Sequence, residues 1–374
     1  MTHHLTGALR TAAADAITVL RRETYVDVFR GLLIAHMALD HASLMFNSGR
    51  AAEELAAGAA PAFGDLFQFL TRFSGVPVAP AFFFMAGFMV AMTSTARAGR
   101  GVAEADITRR LVIRGLVLIG ADALIMGLPR ALMGFYSFMV LSSIGVALIA
   151  LAYLRRLPSR YLLVGALAML ALHPLLDVSA LPTALRAILY EPVRSGVVRS
   201  LYPIIPWGAI VVVGYVLGRD TALHGPNVRR WLLLAGVSAA LFFVVRLPGG
   251  YGNAYDYDSM ASHAFWTFAK YPPDLAFLTF AFTFIFMGLA LLASIARERT
   301  PVWLKPFEIY GRVPFFFYIV HFYVLGVAQA LIRTSFGLLA TYFIWLTLLA
   351  VMLWPCAWYY SKKRERPNFI TRYL

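Results

Sequence analysis

The feature that most constrains the fold of this chain is a series of ten apolar segments, most of them long enough to cross a lipid bilayer. Their approximate bounds are 25–46, 76–96, 108–128, 134–154, 160–176, 202–219, 230–247, 274–296, 310–332 and 337–360. Hydrophobic residues make up 60% of the sequence, well above their share in soluble domains. Because a bilayer offers no partners to backbone polar groups, such segments fold as helices. The sequence therefore predicts an all-α polytopic membrane protein of about ten transmembrane helices.

The Lys and Arg residues are distributed unevenly between the two sides of this predicted membrane domain. The connections and termini on one side hold 21 of them, and the connections on the other side hold 9. The richer side is expected to be cytoplasmic, which places both termini in the cytoplasm. This bias also accounts for the net charge of +14, so no nucleic-acid partner is expected. The predicted organisation is a cytoplasmic N-terminal segment (1–24), a membrane domain (25–361) and a basic cytoplasmic tail (362–374).

The first apolar segment, Tyr25–Phe46, contains several ionisable residues and is the predicted functional helix. At 3.6 residues per turn, Arg30 and His41 share one face and lie about 16 Å apart along the axis. Asp27 lies one turn before Arg30 and is placed to pair with it. His36 points to a different face. Charged groups at membrane depth are costly and usually line an interior path, so this face is expected to line a functional cavity.

The sequence VDVFRGLLIAHMALDH at Val26–His41 resembles the motif LDxxRGxxxxxMxxDH of bacterial relatives of the heparan-alpha-glucosaminide N-acetyltransferase catalytic domain, a family of transmembrane acyltransferases. Further stretches similar to this family follow in order: APAFFFMAGFMV at Ala79–Val90, YPIIPWGAIVVVGYVLGR at Tyr202–Arg219 and YGRVPFFFYIVHFYVLG at Tyr310–Gly326. The resemblance extends from Val26 to Leu374. One departure is Val76, where the relatives commonly carry a histidine, so a second histidine is missing from that position.

Three further segments carry structural expectations. Gly87 in the second apolar segment is expected to let a neighbouring helix approach closely. Pro206 and Trp207 are expected to form a kink and an interfacial anchor at the start of the sixth segment. The connection 47–75 contains an apolar stretch, Leu66–Leu70, that is expected to form a re-entrant or interfacial helix.

The resemblance implies transfer of an acyl group, most often acetyl, from cytoplasmic acyl-CoA to a sugar-like hydroxyl or amine acceptor at the outer face. It also implies an integral protein of the bacterial cytoplasmic membrane, with acetyl-CoA or another acyl-CoA as co-substrate and no metal. Acyl-CoA is anionic, and arginines suit its phosphates and carbonyls. The residues predicted to contact this donor are Arg30 with its partner Asp27, Arg114, Arg312 and Tyr318.

An acceptor must lose a proton as it attacks the thioester, and a histidine is the usual base. His41 is the predicted base, with Asp40 and His321 as further catalytic candidates. Asp40 adjoins His41 in sequence but lies about 100° away around the helix, so the spacing does not predict a dyad. A direct transfer and an acyl-histidine intermediate both remain open. The residues predicted to contact the acceptor lie together in the connection 248–273 or next to its end: Asp256, Asp258, Lys270 and Tyr271.

A different class of function also fits a polytopic chain with these residues. A proton-coupled transporter or flippase of an envelope precursor could use His41, His321, Asp27 and Arg30 as a proton path. Against this alternative, the two halves of the sequence show no repeat with matching interrupted helices. The oligomeric state stays open, a homodimer included. Cys356 is the single cysteine, which excludes an internal disulfide.

Overall fold

The computed structural model describes residues 23–365, except for 57, 129–133, 194–195 and 298. A helix overlaps each of the ten predicted apolar segments. The α-helices are α1 (Thr24–Phe46), α2 (Leu66–Ser74), α3 (Val78–Ala98), α4 (Glu104–Ala121), α5 (Val140–Leu154), α6 (Ser159–Leu172), α7 (Thr183–Leu189), α8 (Ile204–His224), α9 (Val228–Arg246), α10 (Leu275–Ile295), α11 (Lys305–Arg312), α12 (Pro314–Ile332) and α13 (Leu338–Glu365). Most of the predicted N-terminal segment 1–24, and residues 366–374 of the predicted tail, lie outside the described residues.

Short elements complete the described architecture. A π-helical turn, Asp122–Met126, continues α4, and 3₁₀ turns occur at His173–Leu175, His263–Trp266 and Val302–Leu304. Two three-residue strands, β1 (Tyr136–Phe138) and β2 (Val198–Ser200), pair in parallel with Tyr136 opposite Val198. The predicted segment 134–154 thus begins as a strand, and its helix starts only at Val140.

Within the described residues, six helical stretches are long and apolar enough to cross a membrane. They are Leu66–Ala98, which joins α2 and α3, and the helices α8, α9, α10, α12 and α13. The helices α5 and α6 are apolar but shorter. The helices α1 and α4, with 23 and 18 residues, are long enough but carry charged side chains. A count of ten spanning helices therefore remains a prediction that depends on these four.

Two pairs of helices pack with their backbones in direct contact because glycine stands at the crossing points. A Cβ atom on Gly87 of α3 would lie 1.8 Å from the Val211 carbonyl oxygen of α8, so the predicted close approach is confirmed. The helices α1 and α11 approach each other equally closely, since a Cβ on Gly31 would lie 1.7 Å from the Phe307 carbonyl oxygen. Small residues allow such contacts between membrane helices. The position of Arg30, next to Gly31, is thereby tied to α11.

Trp207 does not form the predicted interfacial anchor, because its side chain is buried inside the protein. Backbone angles at Ile205 are not helical, so the chain does bend at the start of α8. Trp207 itself is completely buried, with ring centroids 4.7 Å from Phe83 and 5.0 Å from Tyr202. The bend turns the indole inward, where aromatic rings from neighbouring elements surround it, and apolar contact area there outweighs a place at the interface.

The predicted ninth segment is divided into two helices. α11 ends at Arg312 and α12 begins at Pro314, because a proline lacks the N–H that a continuous helix would need there. The first piece packs on α1 and the second carries His321.

The two long connections 47–65 and 247–274 contact each other over one end of the helices. The Glu54 carbonyl oxygen accepts hydrogen bonds from the backbone N–H groups of Lys270 and Tyr271 at 3.0 and 3.1 Å. The fully buried Arg246 donates to the carbonyl oxygens of Tyr255, Ala264 and Phe265, which stabilises the second connection. The predicted helix near Leu66–Leu70 is confirmed as α2.

Candidate active site

A cavity of about 380 Å³ lies along α1. Arg30 and His41 both line it, as their shared face predicts. Most of its other lining residues are apolar, and those on α3, α4, α5 and α12 include Met85, Met89, Leu118, Ile144 and Phe315. The cavity therefore joins two polar regions, called here the arginine end and the histidine end, through a mainly apolar middle.

The arginine end consists of Arg30 and Arg114. Arg30 donates to the Asp27 carboxylate at 3.3 Å, so the predicted pair is present. Arg114 faces the cavity from α4, and its Nε has no hydrogen-bond partner among the described residues. Arg30 and Arg97 act on Arg114 as like charges. A concentration of guanidinium groups of this kind is suited to bind an anionic ligand.

The histidine end contains a direct contact between two histidines. The Nδ1 of His41 lies 2.8 Å from the Nε2 of His321 on α12. His321 is fully buried, and its Nδ1 lies 2.8 Å from the Phe317 carbonyl oxygen. The rings of Tyr318 and Phe322 flank His41 at centroid distances of 6.4 and 5.4 Å. Although position 76 is a valine, a second histidine is present at the site, because α12 supplies His321.

Beside this pair lies a cluster of charged side chains, called here the Arg72 network: Asp40, Arg50, Glu53, Glu54 and Arg72. Arg72 donates to Asp40 at 2.6 Å, to Glu53 at 2.9 Å and to Glu54 at 2.5 Å. Arg50 donates to Asp40 at 2.9 Å and to Glu53 at 3.0 Å. Burial raises the pKa of the Glu53 carboxyl, but neighbouring cations, with Arg72 the strongest, outweigh burial and hold that pKa below its usual value.

Although Asp40 is next to His41 in sequence, its side chain contacts arginines and not His41. Its carboxylate binds the two arginines and makes no hydrogen bond to His41. Of the three catalytic candidates, the structure brings His41 and His321 into contact and places Asp40 in the Arg72 network. Through its ion pair with Arg50, Asp40 links α1 to the connection 47–65.

Lys270 lines the histidine end from the second long connection. Its ammonium makes no ion pair or hydrogen bond within the described part of the chain and lies 5.0 Å from the ring centre of Tyr271. Burial lowers the pKa of Lys270, but Tyr202 and nearby carboxylates outweigh burial and leave it above the usual value. The Tyr271 hydroxyl contacts that of Tyr202 at 3.0 Å. A protonated lysine faces the cavity next to His41 and is available to a ligand.

The remaining predicted site residues lie elsewhere. Arg312 forms an ion pair with Glu308 and lies over the Tyr360 ring, and it does not line the cavity. Asp256 and Asp258 are exposed on the second connection. Tyr318 does line the cavity, at its histidine end and not among the arginines. No group of three or more described His, Cys, Asp or Glu residues is placed to hold a metal ion.

Sequence reasoning missed the Arg72 network as part of the site. Its members come from α1, the following connection and α2, up to 32 positions apart, and no helical periodicity relates them. The sequence offered one indication: Glu53 and Glu54 lie between Arg50 and Arg72, in and next to a long connection. Long connections on a rigid scaffold frequently carry functional residues.

Comparison with protein families identifies the family to which this chain belongs. The model of the heparan-alpha-glucosaminide N-acetyltransferase catalytic domain matches residues 22–249, more than half of the chain. The chain belongs to this family. A search of curated proteins finds no match. This N-acetyltransferase family member is a multi-pass membrane protein of the acetyltransferase type, and the match includes His41 and the Arg72 network. His321 lies beyond the matched residues, on α12.

Proposed function

We propose that this protein transfers an acyl group, most often acetyl, from cytoplasmic acyl-CoA to a sugar-like hydroxyl or amine at the outer face of the membrane. The family supports an acetyl donor. In this proposal Arg30 and Arg114 bind the anionic part of the donor, and the pantetheine arm follows the apolar middle of the cavity. The thioester then lies next to His41, where the acceptor meets it.

The chemistry at the histidine end is a proton transfer coupled to acyl transfer. As the acceptor oxygen or nitrogen attacks the thioester carbonyl carbon, its proton moves to Nε2 of His41. The new bond to the acceptor forms, the carbon–sulfur bond breaks, and the CoA thiolate takes the proton from His41 to leave as a thiol. Lys270 and Tyr271 bind the acceptor in this arrangement. Their position next to the histidine pair supports that role.

The observation that carries the proposal is the continuity of one cavity from two arginines to a histidine. A transporter would need a path open to each side in turn, whereas an acyltransferase needs a donor anchor and a base joined at a fixed distance. The decisive experiment is the release of CoA from acetyl-CoA by purified protein with amino and neutral sugars as acceptors. Acceptor-dependent CoA release supports the proposal, and its absence with intact folded protein would refute the enzymatic function.

Arg114 provides a specific test of the donor site. Replacing it with methionine is expected to raise the KM for acetyl-CoA about tenfold or more, because a charge-assisted hydrogen bond contributes about 1.5–3 kcal/mol. The fold should be retained, since the change removes a charge on which Arg30 and Arg97 act as like charges. Arg100→Met is the matched control, because Arg100 is exposed and does not line the cavity. Equal KM values for the two variants would exclude Arg114 from donor binding.

The direction of transfer rests on the predicted topology, which cysteine labelling tests. The single native cysteine, Cys356, is buried, so an introduced thiol is the main reactive group. Cysteines at Arg100 and Arg156 are expected to react only from the cytoplasmic side, and a cysteine at Asp256 only from the outer side. Measurement uses a membrane-impermeant thiol reagent on intact and opened cells. Labelling of Arg156 and Asp256 positions from the same side would contradict the proposed topology and with it the direction of transfer.

A further inference from the structure

The two hydrogen-bond positions of His321 are both occupied by defined partners. Its Nδ1 contacts the Phe317 carbonyl oxygen one turn earlier on α12, at 2.8 Å. A carbonyl oxygen only accepts hydrogen bonds, so this nitrogen of His321 carries a hydrogen. In a neutral imidazole the other nitrogen is then an acceptor. The Nε2 of His321 therefore presents a lone pair, and this lone pair faces His41.

The geometry of the two rings fits a hydrogen bond along that lone pair. The ring planes differ by only 4°, and the ring centres are 5.1 Å apart, much farther than the 2.8 Å between the two nitrogens. The rings therefore meet edge to edge in a common plane and do not stack face to face. The lone pair of a ring nitrogen lies in the ring plane, so Nδ1–H of His41 is aimed at it.

We infer that His321 is a positioning residue, which holds neutral His41 in the tautomer with its hydrogen on Nδ1 and leaves Nε2 free to react. The inference rests on the proposed function for the meaning of that free nitrogen. No described residue hydrogen-bonds to Nε2 of His41, and His41 lines the cavity. Both a general base and a nucleophilic histidine need this nitrogen unprotonated, so the inference applies to either route.

His321 occupies the place that a carboxylate occupies in many catalytic histidine arrangements. The nearest carboxylate in sequence, Asp40, is bound by Arg50 and Arg72 and makes no hydrogen bond to His41. The lone pair of His321 stabilises the imidazolium that forms when His41 takes a proton, because Nδ1–H of His41 is then a stronger donor. The backbone carbonyl of Phe317 fixes the orientation of His321 in turn, as outer partners commonly do for functional histidines.

The tautomer itself can be measured without turnover. Nitrogen-15 NMR of ring-labelled histidines distinguishes a protonated from an unprotonated ring nitrogen. The chain has eight histidines, and the His41 signals are assigned by their loss in a His41→Asn variant. At a pH where His41 is neutral, the expected result is hydrogen on Nδ1 and none on Nε2. Hydrogen on Nε2 in the folded wild-type protein would overturn the inference, whatever the activity.

Two variants of similar size separate positioning from packing. His321→Gln offers an amide oxygen close to the place of Nε2, whereas His321→Met fills the space without a comparable acceptor. The methionine variant is expected to lose about tenfold to a hundredfold in kcat with little change in the KM for acetyl-CoA, since the wrong tautomer disables the base but not donor binding. The glutamine variant should recover most of this loss.

The outcomes are distinguishable from failure of the proposed function. A folded His321→Met protein with the wild-type kcat would overturn the positioning role, as would equal loss in both variants with His41 still carrying hydrogen on Nδ1. The proposed function fails separately, when wild-type protein releases no CoA from acetyl-CoA in the presence of any acceptor. The NMR result on wild-type protein stands in either case.

Discussion

Replacement of His41 is expected to lower acyl transfer by about a hundredfold or more, on the scale usual for a general base. The informative substitution is His41→Asn. Its amide nitrogen can donate to His321 Nε2 as the imidazole Nδ1 does, so the buried acceptor on α12 keeps a partner, while no base remains. The expected result is a folded protein with a near wild-type KM for acetyl-CoA and a strongly reduced kcat. His41→Ala should lose as much activity, with an additional stability cost of about 1–3 kcal/mol for the unpaired acceptor.

The matched control for this experiment is His36→Ala. His36 lies on the same helix, but its ring contacts the Ser74 hydroxyl at 3.2 Å and does not line the main cavity. Its loss should leave turnover nearly unchanged. Acetyl transfer and thioester hydrolysis are measured for each purified variant, with folding followed by thermal melting. Wild-type rates in folded His41→Asn protein would remove the catalytic assignment and favour the transporter alternative.

Removal of Arg72 is expected to have the largest effect on stability. Arg72→Met deletes ion pairs to three carboxylates, and breaking a largely buried network of this kind costs about 3 kcal/mol. The connection 47–65 should then separate from α1, and activity should fall with it because residues of this connection line the histidine end. Thermal melting and acetyl transfer are measured together. Arg72→Lys keeps the charge but not the fork geometry and should be intermediate.

The pH dependence of the melting temperature of Arg72→Met provides a second test of the Arg72 network. Because the folded-state pKa of Glu53 lies below its usual value, its ion pairs stabilise the fold above the ordinary carboxyl pKa of about 4.3 and lose that effect as the pH falls below it. The difference in melting temperature between wild type and Arg72→Met should therefore narrow in acid. A variant as stable as the wild type at neutral pH would show that the network has no structural role.

The helical periodicity of the sequence predicted those features of the site that lie within a single helix. The shared face of Arg30 and His41 and the pair between Asp27 and Arg30 follow from 3.6 residues per turn. The contact between His41 and His321 depends on the relative height of two helices separated by more than 270 residues, and no local pattern fixes that height. The sequence identifies both histidines as candidates, but it does not predict the hydrogen bond between them.

Two residues lie in surroundings that the sequence did not indicate. Trp207 has the side chain of an interfacial anchor, but the bend at Ile205 directs it into the protein core. Arg312 belongs to a motif with His321, yet the break before Pro314 separates the two and leaves Arg312 with Glu308. In each case the residue type alone did not indicate the surroundings of the side chain.

Because Arg30 and His41 lie on one uninterrupted helix, α1 fixes the distance between the residue proposed to bind the anionic part of the donor and the proposed base. Their separation along the axis, about 16 Å, is set by the rise per residue and does not change when the connections above them move. Insertion of one residue between them would turn His41 by about 100° away from its partner as well as lengthen the gap. In the proposed function, the protein therefore selects its donor by the length of the arm between anionic group and thioester, a property of the helix and not of any single contact.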